Sequence, residues 1–231
     1  MAEIITLKTA KMLAQNDIAR LIDFTALRPE MTGEQIEKLC KEARQYHFYS
    51  VCINPYFIPL AKAFLGDAEV KICTVVGFPL GATLSQVKVY EAKEAAKMGA
   101  QEIDMVINVS ALKDKDYQKV LQEIRLVVRA VPGLLCKVIL ENCLLTDEEK
   151  KIACQIVLEA GAHFVKTSTG FDKGGATIAD IRLMRKVVGN HLGIKAAGGI
   201  RDYKTALQMV KAGATRIGAS QGIQIVEGSH L

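Results

Sequence analysis

The sequence predicts one α/β domain over residues 1–231, a (β/α)8 TIM barrel with an extra N-terminal helix. Three observations carry that reading. Apolar, Val- and Ile-rich runs alternate with helix-forming stretches, and eight such runs start 21 to 34 residues apart, the length of one βα unit. The 231-residue length lies close to the roughly 250 residues of a typical barrel. A Gly-Ala helix exit leading into a strand recurs in KMGAQEID (97–104), EAGAHFVK (159–166) and KAGATRIG (211–218), with glycine supplying the left-handed residue that ends a helix.

In chain order the expected strands are Leu21–Thr25, Ser50–Ile53, Lys71–Val76, Glu102–Ile107, Cys136–Leu140, His163–Lys166, Gly193–Ala196 and Thr215–Gly218. The first is the least strand-like, and its assignment rests partly on the eighth needing a partner. Between them, Thr32 with Gln35, Thr146 with Glu149 and Thr177 with Asp180 have capping-box spacing. The stretch Tyr90–Met98 is rich in good helix formers. Half of the residues are hydrophobic and there is no Trp, so the core is aliphatic, as buried parallel strands require.

Composition narrows the function classes. The net charge is +5, with lysines interspersed among glutamates, which speaks against a nucleic-acid partner and suits a small anionic substrate. The N-terminal MAEIITLK has no apolar leader, and no apolar run approaches the ~18 residues of a membrane span. The six cysteines (40, 52, 73, 136, 143 and 154) show no C-x-x-C spacing. They read as reduced thiols of a soluble cytoplasmic protein with no membrane partner.

Three lysines interrupt the apolar strands: Lys137 in LLCKVIL, Lys166 in HFVKTST and Lys195 in LGIKAAGG. Lysine is almost never fully buried without a partner, and desolvating its ammonium is costly. In a barrel these lysines and Asp104 of EIDMVIN converge on the C-terminal ends of consecutive strands. A neutral lysine amine attacks a carbonyl to form a Schiff base. From a reference pKa of ~10.4, about 4–5 kcal/mol of bias brings it near neutrality. A second ammonium ~6 Å away supplies roughly 3 kcal/mol at an effective dielectric of 20. Lys166 beside Lys195 has that arrangement, and an acid such as Asp104 moves protons.

Glycine-bearing loops follow the sixth, seventh and eighth strands. Gly170 and Lys173 lie in STGFDKGGAT, Gly198 and Gly199 in AAGGI, and Gly218 and Ser220 in GASQGI. Backbone N–H groups of such loops cradle phosphate, and the loops after strands 7 and 8 are the usual place for it. Lys173 serves the phosphate or is a solvated loop charge. The four histidines show no metal-ligand spacing, and no dinucleotide fingerprint follows the first strand. No metal or cofactor is expected.

With these residues in hand, the chain resembles the deoxyribose-phosphate aldolases, class I aldolases. The resemblance runs through LIDFTAL (21–27), VCINPYFIP (51–59), CTVVGFPLGA (73–82), EIDMVIN (102–108), CKVILE (136–141), FVKTSTGF (164–171), IKAAGGI (194–200) and RIGAS (216–220). It implies reversible cleavage of 2-deoxy-D-ribose 5-phosphate to D-glyceraldehyde 3-phosphate and acetaldehyde. Lys166 is then the Schiff-base nucleophile, Lys195 the cation that lowers its pKa, and Asp104 the proton-transfer group. Lys137, Asp23, Thr25, Cys52 and Thr167 match positions around the substrate, and a homodimer or homotetramer is implied. Asn142, Gln221, the pair Asp172-Lys173 and the EGSHL terminus depart from the family pattern without removing a catalytic group. Three alternatives are a Schiff-base aldolase or transaldolase for another phosphorylated sugar, a phosphate-binding barrel isomerase without a covalent step, and a barrel kept for binding alone.

Overall fold

The computed structural model describes residues 15–230. A short helix, Gln15–Ala19, precedes eight strands: β1 Ile22–Ala26, β2 Ser50–Ile53, β3 Lys71–Val76, β4 Glu102–Val106, β5 Leu135–Ile139, β6 Phe164–Lys166, β7 Gly193–Ala197 and β8 Arg216–Ala219. All pairings are parallel and sequential, and β8 pairs with β1, which closes the barrel. The expected strands are all present. Their ends differ by a residue at β1 and β4–β8, because a strand stops where its ladder partner stops. Leu21, for example, lies outside the β1–β2 and β1–β8 ladders, whereas Ala26 pairs with Ile53.

The helices begin as the sequence suggests. Thr32 with Gln35 and Thr146 with Glu149 form reciprocal capping boxes. Thr177 accepts from the Asp180 N–H at 3.0 Å, but the Asp180 carboxylate turns to Lys150 at 2.7 Å, so this cap is one-sided. Gly99, Gly161 and Gly213 at the repeated Gly-Ala exits have φ of 118°, 79° and 121°, conformations that side-chain-bearing residues avoid.

Alternation along each strand separates two interiors. Outward-facing Val51, Ile103, Met105, Val138, Val165, Ile194 and Ile217 are buried against the helices and form the main apolar core. Inward-facing residues fall into levels by their register. The floor holds Ser50, Glu102, Phe164 and Arg216. Above it come Asp23, Cys73, Lys137 and Lys195, then Cys52, Asp104, Lys166 and Gly218. Most barrels fill these levels with branched aliphatic residues. Here seven charged side chains occupy them, all buried: Asp23, Glu102, Asp104, Lys137, Lys166, Lys195 and Arg216.

Gly193, paired with Phe164 in register, must lack a side chain because a Cβ there would overlap the Phe164 ring. Gly193→Ala is therefore expected to cost about 1–3 kcal/mol, the usual penalty of overpacking. A lowered urea midpoint with unchanged slope would show it; an unchanged midpoint would mean that Phe164 has room to move.

Candidate active site

The centre of the site is the Asp104 carboxylate, completely buried and contacted by all three strand lysines. Lys166 and Lys195 both donate to Oδ2 at 2.8 Å, and Lys137 donates to Oδ1 at 2.8 Å. Each lysine then differs in what else it holds. Lys137 reaches Glu102 at 2.6 Å, Cys73 Sγ at 3.2 Å and Asp23 at 3.8 Å. Lys195 reaches Asp23 at 2.5 Å and Cys52 Sγ at 4.0 Å. Among the described ion pairs, Lys166 has Asp104 alone. Its side chain is 3% exposed, against 0% for the other two, because it sits one level nearer the mouth.

These contacts fix the charge states. Burial pushes the Asp104 carboxyl up, but Lys137, Lys166 and Lys195 outweigh it and hold it well below the usual carboxylate range. For Asp23 burial is likewise outweighed, by Arg216, Lys195 and Lys137, and its value falls. Burial works against the ammonium forms of Lys137 and Lys195, yet Asp104 and the other acids prevail and hold both above the ordinary lysine value. The charged forms of Lys137 and Lys195 are therefore the favoured ones. Asp104 accepts from both Lys166 and Lys195, so the repulsion between these two ammonium groups is partly neutralised at rest.

Cys52 and Cys73 pair across β2 and β3 and, with Leu27, Val75 and Phe78, make an apolar wall beside the amines. The Cys52 thiol is drawn down to about 7 by a hydrogen bond from Cys73, against burial and with help from Lys195. Phe171, after β6, meets Phe78 edge to face at 5.1 Å across the mouth.

Thr25 is half-buried at the top of β1 and donates to its neighbour's backbone, Asp23 O, at 2.8 Å. Thr167 follows the last residue of β6 and is buried. Its hydroxyl donates to Ala197 O at 2.9 Å and accepts from Ala197 N at 3.0 Å, so it ties β6 to β7 and its proton is not available at the mouth. Its position next to Lys166 in an alternating strand turns it outward.

The glycine loops gather above the strands. Gly170, Gly198 and Gly199 have φ of 84°, 90° and 79°, and Gly198 O accepts from Ala176 N at 3.0 Å. Lys173 is exposed, with its backbone N–H on Asp172 at 2.7 Å. Ser220 is exposed beyond β8 and donates to Gln221 at 2.7 Å. Gly218 lies inside β8, where a Cβ would come within 3.0 Å of Lys195 Cε; the glycine leaves the space that the lysine stem fills.

Glu102, Cys73, Arg216 and Glu141 were not singled out from the sequence as site residues. Glu102 and Arg216 each stand two residues before an inward-facing position, Asp104 and Gly218, so period-two alternation places them inward as well. Glu141, with φ of 55°, accepts from the Thr169 hydroxyl and, at 3.3 Å, from its N–H, which anchors the loop after Lys166. Burial pushes the Glu141 carboxyl up.

Comparison with known proteins gives the family of the chain. The profile of the DeoC/LacD family aldolases matches residues 18–228. A deoxyribose-phosphate aldolase of Clostridium tetani is 58% identical over 214 residues, covering 92% of this chain and 99% of that one. One from Thermococcus kodakarensis is 58% identical over 219 residues, covering 93% and 98%. Among solved structures, an aldolase designated QR15 superposes with a TM-score of 0.88 at 44% identity, covering 91% of this chain and 95% of its own. The tetrameric deoxyribose phosphate aldolase of Aeropyrum pernix superposes with a TM-score of 0.87 at 33% identity, covering 93% and 91%. The chain belongs to the DeoC/LacD family of aldolases.

Proposed function

We propose that the protein cleaves 2-deoxy-D-ribose 5-phosphate reversibly to D-glyceraldehyde 3-phosphate and acetaldehyde through a Schiff base on Lys166. The observation that carries this is the inequality of the three lysines: two are each held by two or more carboxylates, while the third has the fewest counter-ions and faces the mouth. The relatives' names supply the substrate.

In the cleavage direction the Lys166 amine adds to the C1 aldehyde of the open-chain sugar, and water leaves as the iminium forms. The C3 hydroxyl gives up its proton, the C2–C3 bond breaks, and its electron pair moves into an enamine on C1–C2. D-glyceraldehyde 3-phosphate departs. Protonation of C2 and hydrolysis of the iminium release acetaldehyde and restore the amine. Asp104, in contact with Lys166, Lys195 and Lys137, is positioned to relay these protons directly or through water. Lys195 stabilises the charge on Asp104 throughout. The apolar wall of Leu27, Cys52, Cys73, Val75 and Phe78 suits the two-carbon fragment, and the loops bearing Gly170, Gly198, Gly199 and Ser220 suit the phosphate, with Lys173 near enough in sequence to contribute.

The chemistry is read as metal-independent. Cys52, Cys73 and Asp104 lie close enough to bind an ion, as do Asp23, Cys73 and Glu102, but their carboxylates already serve ammonium and guanidinium groups. A divalent cation would enlarge an existing excess of positive charge. We also read the protein as cytoplasmic, in keeping with six free cysteines. Among the described residues no helix is long and apolar enough to cross a membrane. Self-association as a homodimer or homotetramer suits the exposed Leu80, Leu84 and Tyr90.

The test is to incubate with acetaldehyde, reduce with borohydride, and map the adduct by mass spectrometry. An adduct on Lys166 and full activity in excess chelator are expected. An unmodified Lys166 peptide in active protein, or loss of turnover on metal removal, would refute the mechanism.

A further inference from the structure

The charge at the mouth is only the upper half of a column that runs down to the barrel floor. Arg216, 4% exposed, donates to Asp23 Oδ1 at 2.7 Å and to Glu102 Oε2 at 3.0 Å. Asp23 gives its other oxygen to Lys195, and the same Glu102 oxygen serves Lys137. Both lysines end on Asp104, and Asp104 ends on Lys166. The guanidinium is clamped, with Tyr49 stacked at 3.4 Å and the Phe164 ring at 5.3 Å. Packing alone does not call for an arginine here, since branched aliphatic side chains fill this level in most barrels.

We propose that Arg216 and Glu102, at the opposite end of the barrel from the substrate, are positioning residues that set the charge balance around the Lys166 amine. The inference rests on the Schiff-base reading above. The column holds four cations (Lys137, Lys166, Lys195 and Arg216) and three carboxylates (Asp23, Glu102 and Asp104). One positive charge is in excess so long as the Cys52 thiol keeps its proton. Arg216 shares one oxygen of Asp23 with Ser50 and one oxygen of Glu102 with Lys137, so part of each acid's charge is directed to the guanidinium and away from the lysines above. The excess is passed up to the amine with the fewest counter-ions, and a proton leaves that amine more readily for it.

The surrounding groups are consistent with this path. Lys166 is faced by Asp104 from β4, and Lys195 on β7 shares its carboxylate oxygen. Cys52 on β2 and Glu141 after β5 both feel its charge. Arg216 is faced by Asp23, Glu102 and Tyr49, with Lys195 beside it in register. Glu102 also acts on His163, whose imidazole is lowered chiefly by burial and whose Nδ1 accepts from Cys136 N. A cavity of about 310 Å³ is lined by Tyr49 together with Arg20, Glu69 and Lys71.

The experiment measures the initial rate of borohydride-trapped acetaldehyde adduct on Lys166 from about pH 5.5 to about pH 9.5, where protonation of the amine limits the acidic limb. Arg216→Met removes the excess, and the acidic limb is expected to move up by at least about one pH unit, a tenfold loss of neutral amine at a given pH. Glu102→Gln doubles the excess and is expected to move the limb down by a similar amount. Arg216→Lys restores the charge and the wild-type limb. Tyr49→Leu removes packing but no charge, so its thermal midpoint falls while the limb stays. If Arg216→Met does not fold, the Glu102→Gln and Arg216→Lys limbs decide. Limbs that stay at the wild-type position, or that move in the same direction in Arg216→Met and Glu102→Gln, overturn the inference while leaving the Schiff base intact. Absence of any adduct in the wild type overturns both.

Discussion

Lys166→Ala is expected to lower cleavage of 2-deoxy-D-ribose 5-phosphate by at least about 10⁴-fold, the scale seen when a covalent nucleophile is removed. The trapped adduct should vanish with it. The neighbouring amines do not substitute, because Lys137 and Lys195 are fully buried and held as ammonium by carboxylates on two sides or more. Lys166→Arg keeps the charge and should lose activity equally, which separates the role of the amine from that of the cation. Both variants should fold, since Asp104 retains two ion pairs without Lys166. Assay of the released aldehyde together with a thermal melt checks this. Adduct formation at Lys195 in Lys166→Ala with substantial turnover would reassign the nucleophile.

Asp104→Asn is expected to be the most damaging isosteric change in the site. It leaves four buried cations against two carboxylates and turns an amide toward ammonium groups. Breaking a buried ionic cluster in this way costs about 3–5 kcal/mol, and loss of the proton carrier costs a further 10²- to 10⁴-fold in turnover, roughly. The sign of the pH dependence follows from the depressed values of Asp104 and Asp23. A carboxyl lowered in the folded state stabilises the fold above its unfolded value of about 3.9, and that stabilisation is lost as pH falls toward the native value. The wild type should therefore weaken steeply below about pH 4, and Asp104→Asn, with one fewer such group, should show a shallower slope. Equal acid slopes in urea melts would remove Asp104 from the account.

Much of this was legible in the sequence, for a physical reason. A strand lysine amid Val, Ile and Leu is a local contradiction, and local contradictions are visible without a structure. Lys137, Lys166 and Lys195 stood out on that ground, as did the capped helix starts at Thr32 and Thr146. Glu102 and Arg216 did not, because a charged residue at the first position of a strand looks like ordinary solvent-facing punctuation. Only the closure of β8 onto β1 puts Arg216 beside Asp23. Lys88 and Glu123 were hidden in the same way. Each sits in a helix of mixed charge, yet they form a buried pair at 2.6 Å, with Lys88 also donating to Val106 O at 2.8 Å. Thr167 carries no such contradiction in the sequence, and only the paired strands show its hydroxyl bonded to Ala197 of β7.

The levelled interior also has a bearing on how the chain finds its fold. Parallel strands of branched aliphatics are poorly keyed, since Val, Ile and Leu pack almost as well one step out of place. A one-residue slip of β4 would exchange Asp104 for Ile103 or Met105 and push a carboxylate among the surrounding helices, because the side-chain period in a strand is two. It would strand three ammonium groups in the barrel with no shared acceptor, each of them costly when unpaired. The buried charge cluster thus acts as a set of teeth, and a barrel assembled with the wrong teeth engaged is heavily disfavoured against the native one.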